Sequence, residues 1–263
     1  MTVTARIKEL SLSYGESVVF EKISFSLRKG ELTFLNGPSG AGKTSLLQAF
    51  NRTLPAPPAC LTGGVEFFLS ERWVSSHSLP LPLLRTKVAL ILQTPQLLPG
   101  SIRRNVELPL KVVGKIGKSE RNERIEVSLK RTGLWETVKD KLNQPASILS
   151  GGQKQRLCLA RAIAMKPAFL LLDEPTAFLD QASAEQILVL LQELKDECTI
   201  LVVSHKEKEA EVFADKKLFL LELQETCPQG ISWRNQLRSF LQTTSLPKNL
   251  LATIQTTSLP LDR

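Results

Sequence analysis

The chain has 263 residues, 42% apolar and 23% charged, which suits one sizeable core with a subdomain and excludes disorder over most of the length. Its longest apolar runs, such as Val88-Ala89-Leu90-Ile91-Leu92, hold five residues against the roughly 20 of a membrane-spanning helix, and MTVTARIKEL lacks the apolar stretch of a secretion signal, so a cytoplasmic protein is expected. The net charge of +8 includes seven basic against three acidic residues between Lys111 and Arg131, a solvated face near lipid headgroups rather than a nucleic-acid site, since no aromatic residues interleave there to stack bases.

Alternation in Ile23-Ser24-Phe25-Ser26-Leu27 predicts a strand, and Arg28-Lys29-Gly30 turns the chain into a second one, Leu32 to Leu35. A glycine-rich loop follows directly. From Thr44, the spacing of Leu46, Leu47 and Phe50 puts apolar groups on one helical face, and the Pro55-Ala56-Pro57-Pro58 cluster is expected to end that helix. Val88 to Leu92, Phe169 to Leu172 and Thr199 to Val203 read as buried strands of a parallel sheet, with a helical stripe of Ala184, Ile187, Leu188, Leu191 and Leu194 before the last. Lys/Arg-rich sequence over 94–150 predicts an inserted helical subdomain between the core segments 1–93 and 151–223. A weakly ordered tail, 224–263, repeats QTTSLP at 242–247 and 255–260. Cys60, Cys158, Cys198 and Cys227 are too far apart for a metal knuckle and are expected to be reduced, buried small side chains.

The loop GPSGAGKT spans 37–44 between a strand and a helix, the context in which backbone N–H groups curl round phosphate oxygens and the helix end adds positive potential. Gly37, Pro38, Ser39, Gly40, Ala41, Gly42, Lys43, Thr44 and Ser45 are thus the expected phosphate-binding residues, with Lys43 bridging the β and γ phosphates and Thr44 on Mg²⁺. Such a pattern arises by chance in about one chain in a hundred of this length. FLLLDEP ends a strand in two acids: Asp173 is expected to hold the metal and Glu174 to act as general base on the attacking water.

Residues 149–153 read LSGGQ, a chance match in roughly one chain in a few thousand, in the right order after the glycine loop. With GPSGAGKT, Gln93, FLLLDEP and Ser204-His205, this series resembles the ATP-binding-cassette family over residues 5 to about 222. The resemblance implies an α/β P-loop NTPase fold with a mostly parallel central sheet, an N-terminal antiparallel β subdomain and the inserted helical subdomain. It implies ATP and Mg²⁺ as ligands, with Gln93 sensing metal and water, His205 contacting the γ-phosphate and Tyr14, 29 residues before Lys43, stacking on adenine. Ser150, Gly151, Gly152 and Gln153 open a helix at an anion-binding end, yet the chain already has one phosphate cradle. The signature therefore serves a nucleotide held by a second copy, in an ATP-dependent dimer whose interface the loop Ala177-Phe178-Leu179-Asp180 crosses.

The flanks of the signature, and LLRTKV before Gln93, are most similar to ATP-binding subunits of bacterial phosphate importers. Two membrane permease subunits, an external solute-binding protein and a place on the cytoplasmic face of the membrane are implied. The segment Thr94-Pro95-Gln96-Leu97-Leu98-Pro99, without the phenylalanine expected there, departs from that pattern, as does Phe178 in place of a small residue. An importer ATPase for polar amino acids, metal ions or lipids is the alternative. A non-transport cassette acting on DNA or ribosomes is disfavoured, because the 56 residues between Gln93 and Ser150 leave no room for a long coiled coil.

Overall fold

Apolar residues alternate along Val3–Tyr14 (β1) with one change of phase: Ala5 and Ile7 are buried, then Leu10 and Leu12. The shift occurs at Glu9, whose φ of 44° makes a bulge that returns both halves of the strand to the core. Ser17–Arg28 (β2) changes phase at Lys22, φ 47°, between buried Phe20 and Ile23. Each bulge N–H is satisfied by a serine of the neighbouring strand, Glu9 N donating to Ser24 Oγ and Lys22 N to Ser11 Oγ, both at 2.8 Å. Residues 2–55, 59–114 and 116–220 are described by the computed structural model, so the tail expected from residue 224 and Cys227 lie outside the described residues.

Leu32–Asn36 (β3) leads through the glycine loop into Lys43–Asn51 (α1). That helix does not run to the proline cluster. It stops at Arg52, which adopts φ 52° and turns its N–H back onto the Ala49 and Gln48 carbonyls, so a left-handed cap ends the helix three residues before Pro55. Ala59–Leu69 (β4) and Arg72–Ser75 (β5) complete an antiparallel sheet of order β2-β1-β4-β5. Leu81–Lys87 (α2) precedes Val88–Ile91 (β6). The helices Ile102–Val112 (α3), Lys118–Arg131 (α4) and Trp135–Val138 (α5) follow, then Gly151–Ala164 (α6). Phe169–Asp173 (β7), Gln181–Leu194 (α7), Thr199–Val203 (β8), Glu207–Phe213 (α8) and Lys216–Phe219 (β9) end the described chain.

The second sheet is parallel, in the order β6-β7-β8-β3-β9, and its central strands β7 and β8 are buried on both faces, as their apolar runs require. Leu35, Phe169, Leu171, Leu201 and Val203 face the core shared with α1 and the antiparallel sheet. Phe34, Leu170, Leu172, Ile200 and Val202 face the other way, towards Ile187, Leu188, Leu191 and Leu194 of α7. A run of aromatic contacts, Phe25–Phe50–Phe67–Phe169, with ring centroids 6.3, 6.2 and 4.7 Å apart, crosses the first core. Burial of each such ring is worth about 1.5–3 kcal/mol.

The helical unit has its own core of Ile102, Val106, Leu110, Ile125, Leu129, Leu134 and Val138. α6 belongs to both bodies. Leu157, Ala160 and Ala164 enter the helical core, whereas Cys158, Leu159 and Ile163 enter the core under the parallel sheet. An ion pair of two hydrogen bonds, from the Arg131 guanidinium to Glu197 at 2.8 and 3.1 Å, also joins α4 to the segment before β8. Among the described residues the cysteine thiols are free: Cys158 and Cys198 are buried as expected, but Cys60 is exposed because β4 alternates it with the core-facing positions. No helix of the described residues is long and apolar enough to cross a membrane.

Candidate functional site

Parallel registration decides where the motifs meet. Leu35 lies beside Val203, Val203 beside Asp173, and Leu172 beside Ile91, so the residues just past β3, β8, β7 and β6 all emerge at one end of the sheet. This collects Gly37, Ser204-His205, Asp173-Glu174 and Gln93, from four distant parts of the sequence, and it is the end at which open α/β sheets bind ligands.

The glycine loop can take its shape only without side chains at two points. A Cβ on Gly37, φ 151°, would stand 2.1 Å from the Leu220 carbonyl oxygen, and one on Gly42, φ 85°, would stand 2.3 Å from Val19 Cγ1. Gly42 is also the N-cap of α1 and offers no side chain to the helix, whose first turn holds no acid, so its leading N–H groups are available to an anion. The Lys43 ammonium, almost fully buried, donates to the Gly37 and Pro38 carbonyls at 2.8 and 2.6 Å. Burial lowers its pKa, while Glu174 and Asp173 pull the other way.

Thr44 Oγ1 donates to Asp173 Oδ2 at 2.7 Å. Burial raises the Asp173 pKa, and this hydrogen bond together with Lys43 opposes the rise. Glu174, next in the chain, is in the left-handed region at φ 47°, with its N–H on the Val203 carbonyl at 2.9 Å. A glutamate gains nothing locally from that conformation, and the strained turn points the carboxyl back over the sheet end. Burial pushes it up to about 7, the His205 N–H opposing and the neighbouring Asp173 adding to the shift. Glu174 Oε1 is buried without a hydrogen-bond partner among the described residues, and His205 Nε2 lies 3.5 Å from it, just beyond hydrogen-bond distance. His205 itself is half exposed, its pKa lowered by burial and by Lys43.

A polar network lies behind these residues, and of its members only Ser204 belongs to a motif of the sequence. Buried Thr176 donates to the Glu209 carboxylate at 2.9 Å, Lys206 Nζ donates to the Thr176 carbonyl at 3.0 Å, and Ser204 Oγ bonds both Glu209 and the Lys206 N–H. It ties the turn after Glu174 to the turn holding His205. Thr176 directly follows FLLLDEP, so proximity marks it, while Glu209 lies on a helix of its own and has no sequence signal.

Tyr14 closes β1, paired with Ser17 and Ala59, and packs partly against the first core. Gln93 is exposed two residues beyond β6. Ser150, Gly151, Gly152 and Gln153 form the start of α6 with reciprocal caps: Ser150 N donates to Gln153 Oε1 at 3.0 Å, and Gln153 N to Ser150 Oγ at 3.4 Å. Gly152 faces the 178–179 segment, where a Cβ would meet Leu179 Cδ2 at 2.8 Å. The hydrogen bonds of these four residues do not reach the glycine loop of the same chain.

The ABC transporter family profile matches residues 20–177, more than half of the chain. The chain belongs to the ABC transporter family. It is an ABC-type ATPase subunit with the P-loop NTPase fold. The Phosphate import ATP-binding protein PstB of Bacillus cereus is 39% identical to this ABC subunit over 214 residues, covering 81% of this chain and 79% of that protein, and the Bacillus thuringiensis protein of the same name matches equally. Among solved structures, the bacterial ABC transporter cassette MJ0796 in its dimeric form superposes with a TM-score of 0.71 at 29% identity, covering 84% of this chain and 100% of that one. A dimeric post-hydrolysis form of the same cassette, bound to ADP and Pi, gives 0.70 at 29% identity over 86% and 99%.

The donor set of the ABC subunit suits a hard divalent cation, for which a threonine hydroxyl and a carboxylate 2.7 Å apart are appropriate oxygen ligands.

Proposed function

We propose that this chain binds ATP at the glycine loop, hydrolyses it with Glu174 as general base, and so drives solute import through a membrane complex, inorganic phosphate being the solute. The observation that carries the chemistry is the Glu174 carboxyl: buried, one oxygen unpaired, poised near pH 7, and next to the strand end that holds Asp173. A base with such a value is half ionised at neutral pH and holds a lone pair free for the proton of an attacking water.

Lys43 would release the Gly37 and Pro38 carbonyls and turn to the β and γ phosphates, while the loop N–H groups surround the remaining oxygens. Thr44 and Asp173, with Gln93, would hold Mg²⁺, which supplies charge neutralisation to the phosphates when bound. His205, set by the Thr176–Glu209–Ser204 network, contacts the γ-phosphate, and Tyr14 stacks on adenine. Ser150 to Gln153 close the site of a second copy across a head-to-tail interface that includes Phe178, 54% exposed. The dimeric form of the similar solved cassette supports pairing of two copies.

Phosphate as the cargo is supported by the phosphate import role of the 39%-identical relatives. Permease subunits as partners are supported by the import role of the same relatives, and a recess of about 240 Å³ lined by Gln48, Asn51, Leu92, Gln96 and Arg161 lies near Gln93. The test is to purify the chain with its membrane partners, rebuild them with an external binding protein in vesicles, and follow ATP-driven uptake. Phosphate accumulation dependent on ATP supports the assignment; uptake of a different solute, with phosphate ignored, overturns the cargo and leaves the ATPase intact.

A further inference from the structure

Gln155, in the first half of α6, is 3% exposed, and among the described residues neither its amide nitrogen nor its amide oxygen has a hydrogen-bond partner. A carboxamide offers two donors and an acceptor with two lone pairs, and burying it unpaired lowers stability, whereas an apolar side chain of the same volume would not. Its position on the helix shows what it faces. Gly152, one turn earlier on the same face, lies against the loop after β7, a Cβ there being 2.8 Å from Leu179 Cδ2 and 3.5 Å from the Phe178 carbonyl oxygen. Cys158 and Leu159, one turn later, enter the core under the parallel sheet, and the Cys158 thiol lies 3.7 Å from the Gln96 carbonyl. The unpaired amide therefore sits where the signature helix crosses the segments that leave β6 and β7, on the side opposite Leu157 and Ala160 of the helical core.

We propose that Gln155 is a positioning residue for ATP hydrolysis. Its amide pairs with main-chain groups of the 176–179 loop when the helical unit takes the position in which the signature acts, and this fixes Ser150 and Gly152 relative to the strand end carrying Asp173 and Glu174. The inference rests on the ATPase function proposed above. Because α6 packs into both cores, a small rotation of the helical unit changes the neighbours of its core-facing side chains without breaking the helix.

Gln155→Met and Gln155→Leu, made in the full chain, test this, since both approximately keep the volume and remove the amide. The expected result is a melting temperature raised by about 2–4 °C, as the unpaired group is lost. Turnover at saturating ATP should fall about tenfold, the worth of one positioning hydrogen bond, with ATP affinity of the monomer and KM unchanged. Wild-type turnover in both variants overturns the proposal, and so does a lowered melting temperature in both, because the amide would then be paired in the resting arrangement. Failure of the ATPase assignment itself shows separately, as full activity in Glu174→Gln.

Discussion

The Thr44 hydroxyl and the Asp173 carboxylate, 129 positions apart in the chain, are joined by a 2.7 Å hydrogen bond that ties the first turn of α1 to the last residue of β7. The bond exists because β7 and β3 lie one strand apart, on either side of β8, with their ends level. It brings the phosphate-binding loop and the two acids to one place.

Glu174→Gln removes the proposed base but keeps its shape. ATP should still bind, turnover should drop by about 10²–10⁴, the contribution of a positioned general base, and the dimer should persist with ATP. Steady-state hydrolysis beside equilibrium nucleotide binding checks this, and an active variant would remove Glu174 from the mechanism.

The pH dependence has a defined sign. Glu174 titrates at about 7 in the folded chain, above its ordinary 4.5, so the folded state holds this proton more tightly than the unfolded one. Its contribution to stability is fully present below about 4.5 and is lost as pH rises through about 7, a change of at most about 3 kcal/mol. Urea unfolding of the nucleotide-free chain at pH 5 and pH 8 should show a stability loss that Glu174→Gln reduces. Turnover should climb over the same interval, because the carboxylate is the form that accepts a proton.

Ser150→Arg should leave nucleotide binding by the monomer intact and stop hydrolysis, since the signature acts on the site of another copy. Loss of the Ser150 cap on α6 costs about 1 kcal/mol, so a small fall in melting temperature is expected as well. Weakened nucleotide binding by the monomer would show that the signature works within its own chain.

Tyr14→Ala should weaken nucleotide affinity by up to about tenfold, the value of one aromatic stacking contact, and leave turnover at saturating ATP unchanged. Fluorescent-nucleotide titration gives the affinity directly. Equal affinities in the two proteins would place the purine elsewhere.

The candidate site was legible wherever its residues are local in sequence. The glycine loop needs Gly37 and Gly42 because the backbone passes within about a methyl group of Leu220 and Val19, and the same residues form the motif in the sequence. The antiparallel strands were less legible, since the bulges at Glu9 and Lys22 break the alternation on which strand prediction rests. The proline cluster predicts the end of α1, but a left-handed Arg52 stops the helix earlier. A left-handed arginine has no compositional signal.

The sequence by itself determined the family, the strand and helix core, and the identity of nearly every group proposed to touch nucleotide, because phosphate binding depends on short-range backbone geometry. Only the tertiary structure decided the state of those groups. The strand order brings Lys43 and Thr44 to the adjacent acids Asp173 and Glu174 at one buried end of the sheet, where burial lifts the Glu174 carboxyl to about 7. The same packing leaves Gln155 buried with no partner and lets α6 serve two cores. Burial and alignment are sums over residues far apart in the chain, and no window of the sequence contains them.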